Sequence, residues 1–204
     1  MKGVILGGAL AMGMASAASA VTIVNGSFED TEVSDPFDTY GTGSTGISGW
    51  TVGSGSVDVV STLWTAQDGS QAVDLDGSSV GSIFQVVTGL VVGQAYKIGF
   101  YMSGNPDGAP TIKTMDVSIG GALDSYSFDD STGGAELGIW EFNSLSFVAG
   151  ANSETLTFAS TTAGSFYGPA LDDVTISAVP LPAGSLLLLG GLLGFGALRR
   201  TSRG

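Results

Sequence analysis

From Tyr96 to Met102 the side chains alternate, and that alternation decides the fold class. Tyr96, Ile98, Phe100 and Met102 share one side of an extended segment, while Lys97, Gly99 and Tyr101 share the other. A period of two belongs to a strand with one face in a core. Similar short runs recur at Val21–Val24, Gly49–Val52, Val57–Ser61, Gln71–Leu75 and Ser82–Val87. They continue at Thr114–Ile119, Ser125–Phe128, Trp140–Val148, Thr155–Ser160 and Ala170–Ser177. Turn-forming stretches such as Asn105-Pro106-Asp107-Gly108 separate them, and no window holds a helical period of useful length. The pattern predicts an all-β domain over residues 21–178, an antiparallel β-sandwich of jelly-roll type. Its 158 positions suit one core.

Composition narrows the chemistry. The formal charge is −13, and all nineteen acids lie between Glu29 and Asp173, where Lys97 and Lys113 are the only bases. So acidic a body repels phosphate backbones, which argues against nucleic-acid binding. The chain has no Cys and no His. Disulfides, thiolate metal sites and the commonest general base are therefore excluded. Carboxylates could catalyse glycoside hydrolysis, but no pair is evidently set across a cleft, and a non-catalytic protein is expected.

The two ends carry addresses. Residues 1–20 have Lys2, an apolar core and Ala18-Ser19-Ala20, which predict a cleaved signal peptide and export. At the other end, residues 181–198 form an uncharged run of 18 residues, followed by Arg199 and Arg200. As a helix this run would extend about 27 Å, just enough to span a bilayer core with the basic end inside.

Two carboxylate segments suggest an oxygen-ligand cation site. Asn25-Gly26-Ser27-Phe28-Glu29 follows the first run, and Leu171-Asp172-Asp173-Val174 opens the last. First and last strands often neighbour each other in a sandwich, which would bring Glu29 towards the Asp pair. Asp172 shares parity with Val174 and Ile176 and is expected to face inward, where a carboxylate needs a partner. A structural Ca²⁺ held by Glu29, Asp172 and Asp173 or nearby carbonyls meets that need. For sugar binding the candidate rings are Trp50, Trp64, Trp140, Tyr40, Tyr101 and Tyr167. Trp50 and Trp140 lie in strand-like runs and read as core. Trp64, beside the polar Gln67-Asp68-Gly69 turn, is the best candidate for an exposed ring. Asp74 and Asp76 read as one polar strand face or a second cation site.

Two resemblances add to this reading. Val179-Pro180-Leu181-Pro182-Ala183-Gly184, the apolar run and the Arg cluster resemble the VPLPA variant of PEP-CTERM sorting signals over residues 179–204. That resemblance implies a Gram-negative exporter, a membrane exosortase as partner, and a transient inner-membrane anchor. It also implies association with the cell envelope, surface or an exopolysaccharide or biofilm matrix. The Glu29 and Asp172 segments resemble the choice-of-anchor C family, as do Gly49-Trp50, Gly93-Gln94-Ala95-Tyr96, Asp74-Leu75-Asp76-Gly77 and Gly168-Pro169. That family is similar to galactose-binding-like jelly rolls and calcium-containing carbohydrate-binding modules. The main expectation is a structural or adhesive matrix protein; the alternative is a module that binds a surface polysaccharide.

Overall fold

The computed structural model describes residues 21–34, 36–164 and 166–180. The signal-peptide segment and the apolar run at 181–198 lie outside the described residues. Among the described residues no helix is long and apolar enough to cross a membrane.

Eleven strands among the described residues form two antiparallel sheets. They are β1 (Phe37–Gly41), β2 (Thr51–Ser54), β3 (Ser56–Val60), β4 (Ala72–Asp74), β5 (Ser82–Thr88) and β6 (Ala95–Gly104). The chain continues through β7 (Ile112–Ile119), β8 (Ala122–Asp129), β9 (Glu141–Val148), β10 (Ser153–Ser160) and β11 (Pro169–Ala178). One sheet has the order β1-β3-β4-β11-β6-β9 and the other β2-β5-β10-β7-β8. A 3₁₀ turn, Gly134–Leu137, stands between β8 and β9.

The alternation read from the sequence places the core. Ile98, Phe100 and Met102 of β6 point between the sheets with Val57, Val59, Leu171 and Val174, and meet Met115, Val117, Leu156 and Phe158 of the other sheet. Phe158 packs edge-on against Phe100 and Trp50, at 5.2 and 6.0 Å between ring centres. Each buried aromatic side chain contributes roughly 2 kcal/mol of transfer free energy, so this aromatic knot fixes how the sheets stack.

At the N-terminal end the structure differs from expectation twice. Val21–Val24 is not a strand. The Gln85 side chain takes the place of a ladder partner there, accepting from Val24 N at 2.8 Å and donating to Val24 O at 2.8 Å. Conversely β1, whose Asp38 and preceding Pro36 weaken its strand signal, pairs along β3 from Phe37↔Val60 to Gly41↔Ser56. The N-terminal segment still neighbours the last strand: Val174 N donates to Gly26 O at 2.9 Å.

A second, smaller apolar cluster lies on the outer face of the six-stranded sheet. Val60, Ala72 and Ala170 form its floor, and Trp64 and Ala135 cover it, with Trp140 packed alongside. Thr65 anchors this cover, donating from its amide to Ala135 O at 3.1 Å and accepting from Trp140 Nε1 at 2.9 Å.

Candidate functional site

Beside that cluster, a cavity of about 250 Å³ opens on the same outer face. Register explains its floor. Thr39, Asp58 and Asp74 lie directly across from one another on β1, β3 and β4, and Phe37 lies across from Val60. These positions point away from the core because Val57, Val59 and Val73 between them point into it. Loops supply the walls: Leu63 and Trp64 from one, Asn105 and Asp107 from the turn after β6, Phe166 and Tyr167 from the segment before β11. Three aromatic rings are open to solvent there, Phe37 at 42 %, Phe166 at 62 % and Tyr167 at 36 %.

Behind this floor lies a dense polar network. Asp74 is 1 % exposed. Its Oδ2 accepts from Asn105 Nδ2 at 2.8 Å, and its Oδ1 accepts from Asp76 N at 2.9 Å and Gly168 N at 3.0 Å. Burial pushes the Asp74 carboxyl up to about 8, outweighing these donors, and the Asp76 and Asp58 charges add to the rise. Both carboxylate oxygens of Asp76 are buried without a hydrogen-bond partner. Burial raises its pKa as well; the Ser160 hydroxyl, the Gly81 amide and the Lys113 charge oppose that rise without closing a well-formed hydrogen bond. Gly168 is required between the two acids: a Cβ there would stand 2.5 Å from Asp74 Oδ1 and 2.8 Å from Asp76 Cγ. The polar strand face expected for Asp74 and Asp76 is therefore a buried network.

Lys113 occupies a core-facing position of β7, in phase with Met115 and Val117. Its ammonium is fully buried, 3.2 Å from Asp130 Oδ2 and donating to Gly108 O at 2.7 Å. No sequence signal marked this ion pair, because only the folded chain brings β7 against the loop after β8.

The predicted cation residues are brought to one loop but are met by amides. Glu29 Oε1 accepts from Ser70 N at 2.8 Å and Gln71 N at 2.6 Å, and Oε2 accepts from Ser70 Oγ at 2.9 Å. Gly69 makes this approach possible, with φ +71° and no room for a Cβ, which would collide with the Glu29 carboxyl. Asp172 Oδ2 accepts from Gln67 N at 2.8 Å and Asp68 N at 3.0 Å, and its Oδ1 accepts from Asp173 N at 2.6 Å. Burial lifts the Asp172 carboxyl to about 7 against those three amides, and burial followed by the Asp68 charge raises Asp173. Among the described residues no group of three or more acids is placed to hold a metal ion.

Asp172 does not face the core. A bulge shifts the β11–β6 register between Asp172 and Thr175, with Asp173 at φ +45°. The extra residue resets the parity, so Leu171 and Val174 point inward while Asp172 keeps the outer side of Ala170. Its burial comes from the loop carrying Gln67 and Asp68. Trp64 is not the exposed ring expected: it is 8 % exposed and packs in the outer cluster, while still lining the cavity. Among the other rings, Trp50 is core, Tyr101 packs on Phe142 at 5.3 Å, and Tyr167 reaches the cavity.

An all-antiparallel two-sheet sandwich with a ring-lined cavity on one outer face is thus the class of domain. The chain belongs to the family described as "Protein of unknown function (DUF642)", whose model matches residues 21–177. It is 34 % identical over 178 residues to Halomucin of Haloquadratum walsbyi, a match covering 85 % of this chain and 2 % of Halomucin, so the chain spans a small fraction of that relative. Among solved structures it is similar to the CBM22-1 xylan-binding domain of Paenibacillus barcinonensis Xyn10C, at 14 % identity and TM-score 0.47, covering 82 % of this chain and all of that one. It is also similar to TmCBM61 in complex with β-1,4-galactotriose, at 20 % identity and TM-score 0.45, covering 79 % of this chain and 100 % of the other.

Proposed function

We propose that this domain is an exported carbohydrate-binding module that holds a polysaccharide, without cleaving it, in the cavity on the outer face of the six-stranded sheet. The observation that carries this reading is the pairing of solvent-open rings with polar side chains. Phe37, Phe166 and Tyr167 offer faces for a sugar ring, and Thr39, Asp58 and Asp107 offer groups for its hydroxyls. The volume of about 250 Å³ falls just below the range of about 300 Å³ and upward typical of ligand pockets, which suits a short stretch of a longer chain. Asp74, with its oxygens committed to three donors and 1 % exposure, is too enclosed to protonate a glycosidic oxygen. Oligosaccharide titration tests the reading: Phe37→Ala and Tyr167→Ala should each weaken binding, whereas Phe142→Ala, at an exposed ring outside the cavity, should not. Equal loss in all three variants, or no binding by the protein, would remove it.

In this proposal the segment 1–20 directs export, and the tail 179–204 is recognised by an exosortase-type protease that delivers the domain to the envelope, surface or matrix. Mass spectrometry of the mature protein tests this; a surface form still ending at Gly204 contradicts it. A structural Ca²⁺ at Glu29, Asp172 and Asp173 is a second, separate proposal. Glu29 and Asp172 each spend about three of some four acceptor sites on the loop 67–71 or the Asp173 amide. The buried Gln71 Oε1 on that loop has no donor, which favours an added cation. A melting temperature that chelation leaves unchanged would dispose of this second proposal.

A further inference from the structure

We propose that the cavity selects sugars carrying a protonated amine over neutral sugars and uronates. This inference rests on the carbohydrate reading above and assigns its ligand class. Asp58, Asp74 and Asp107 line the cavity, and among the described residues no Lys or Arg does so. The described residues include only two bases. Lys97 lies along β6 opposite Ser146 and Ser177, and the buried Lys113 ammonium is committed to Asp130 and Gly108 O.

The acids divide by accessibility. Asp74 is closed off by its three donors and, with its carboxyl raised to about 8, is neutral at about pH 6, so the charge of the cleft rests on Asp58 and Asp107. Asp58 is half-buried and accepts one hydrogen bond at Oδ1, from the Thr39 hydroxyl at 2.6 Å. Burial raises its pKa against that hydrogen bond, as expected for a carboxylate with no cation at hand. Asp107 is exposed at the rim. Behind the floor lies the buried Asp76 carboxylate, whose charge the nearby Lys113 ammonium partly offsets.

A cleft lined by one sign of charge concentrates ligands of the other sign and repels those of its own. An ammonium brings three donors to carboxylates with acceptor sites to spare, and such charge-assisted bonds are the strong ones. A carboxylate or sulfate on the sugar would meet Asp58 and Asp107 without a compensating base. The open rings take the apolar face of the pyranose in either case, so charge decides between sugars of similar shape.

The experiment is titration of the full-length protein with a glucosamine oligomer, its N-acetylated form and a uronate oligomer, at about pH 6, where amines are protonated. The glucosamine oligomer should bind about tenfold more tightly than the N-acetylated one at low salt. That preference should shrink as salt is added. Asp58→Asn should erase the preference while leaving the N-acetylated oligomer bound, and Asp107→Asn should reduce it. Equal or tighter binding of the N-acetylated or uronate oligomer overturns the amine selectivity but leaves a sugar-binding cavity standing. Failure of every oligomer to bind overturns both.

Discussion

Replacing Asp74 with Asn isolates the electrostatic cost hidden beneath the cavity. The folded-state pKa of about 8 lies well above the value of 3.8 expected in the unfolded chain. Burial causes the rise, and the Asn105 and Asp76 donors only moderate it. A raised carboxyl favours folding relative to its ionised form at low pH. The cost of ionising it in the fold is absent well below pH 3.8, grows as pH rises, and levels off above about 8. At about 1.36 kcal/mol per pH unit, this group alone removes about 4 kcal/mol of stability between about pH 5 and about pH 9. That is a large share of a domain's usual 5–15 kcal/mol, taken as an order of magnitude.

The Asn side chain cannot titrate. Its carbonyl can keep the two amide donors at Oδ1, while its NH₂ faces the Asn105 Nδ2 donor and loses one hydrogen bond, a cost of about 1 kcal/mol. Urea unfolding of both proteins across this pH range reads the difference, and shared titrations such as that of Asp172 cancel in the comparison. The two should be nearly equal near pH 5, and the variant should lead by several kcal/mol near pH 9. A gap that stays constant within about 1 kcal/mol would mean that the three donors outweigh burial and that Asp74 ionises normally.

Other substitutions test neighbouring parts of the account. Gly168→Ala should destabilise the fold, because its Cβ would intrude 2.5 Å from Asp74 Oδ1 and 2.8 Å from Asp76 Cγ; thermal unfolding reads this, and an unchanged melting temperature would mean that the network is not packed as described. Trp64→Ala should cost about 3–5 kcal/mol by emptying the outer cluster; a loss under about 1 kcal/mol would mean that the loop cover is not packed as described. Lys113→Met should cost about 3–5 kcal/mol by leaving Asp130 buried and unpaired. Adding Asp130→Asn should restore most of that stability, and no recovery would place the cost of the first change elsewhere.

The sandwich was legible because alternation is a local signal. β6 was visible as apolar residues at every second position, and β9, β10 and β11 as short runs of β-branched and aromatic residues between turns. β1 was not, because Asp38, Thr39 and Gly41 become strand residues only through pairing with β3. The site was harder to see. Asp172 seemed inward because parity was counted straight through Asp173, and the bulge that breaks parity depends on a positive φ that Asp173 does not announce. Trp64 seemed exposed because its sequence neighbours are polar, yet those residues belong to the loop that it anchors. The cavity gathers residues from six separate places in the chain, and only the register of β1, β3 and β4 brings them together. The turn Asn105-Pro106-Asp107-Gly108 was readable, but its meeting with Tyr167 was not: a Cβ on Gly108 would stand 2.1 Å from the Tyr167 ring.

Sugar binding in the cavity is tested most directly by mapping backbone amide chemical shifts while an oligosaccharide is titrated into the labelled protein. The account predicts that shifts concentrate at Phe37, Thr39, Leu63, Asn105, Asp107 and Tyr167, with the exposed face of the β2-β5-β10-β7-β8 sheet unchanged. Shifts confined to that other face, or no shifts with any oligosaccharide, would contradict it.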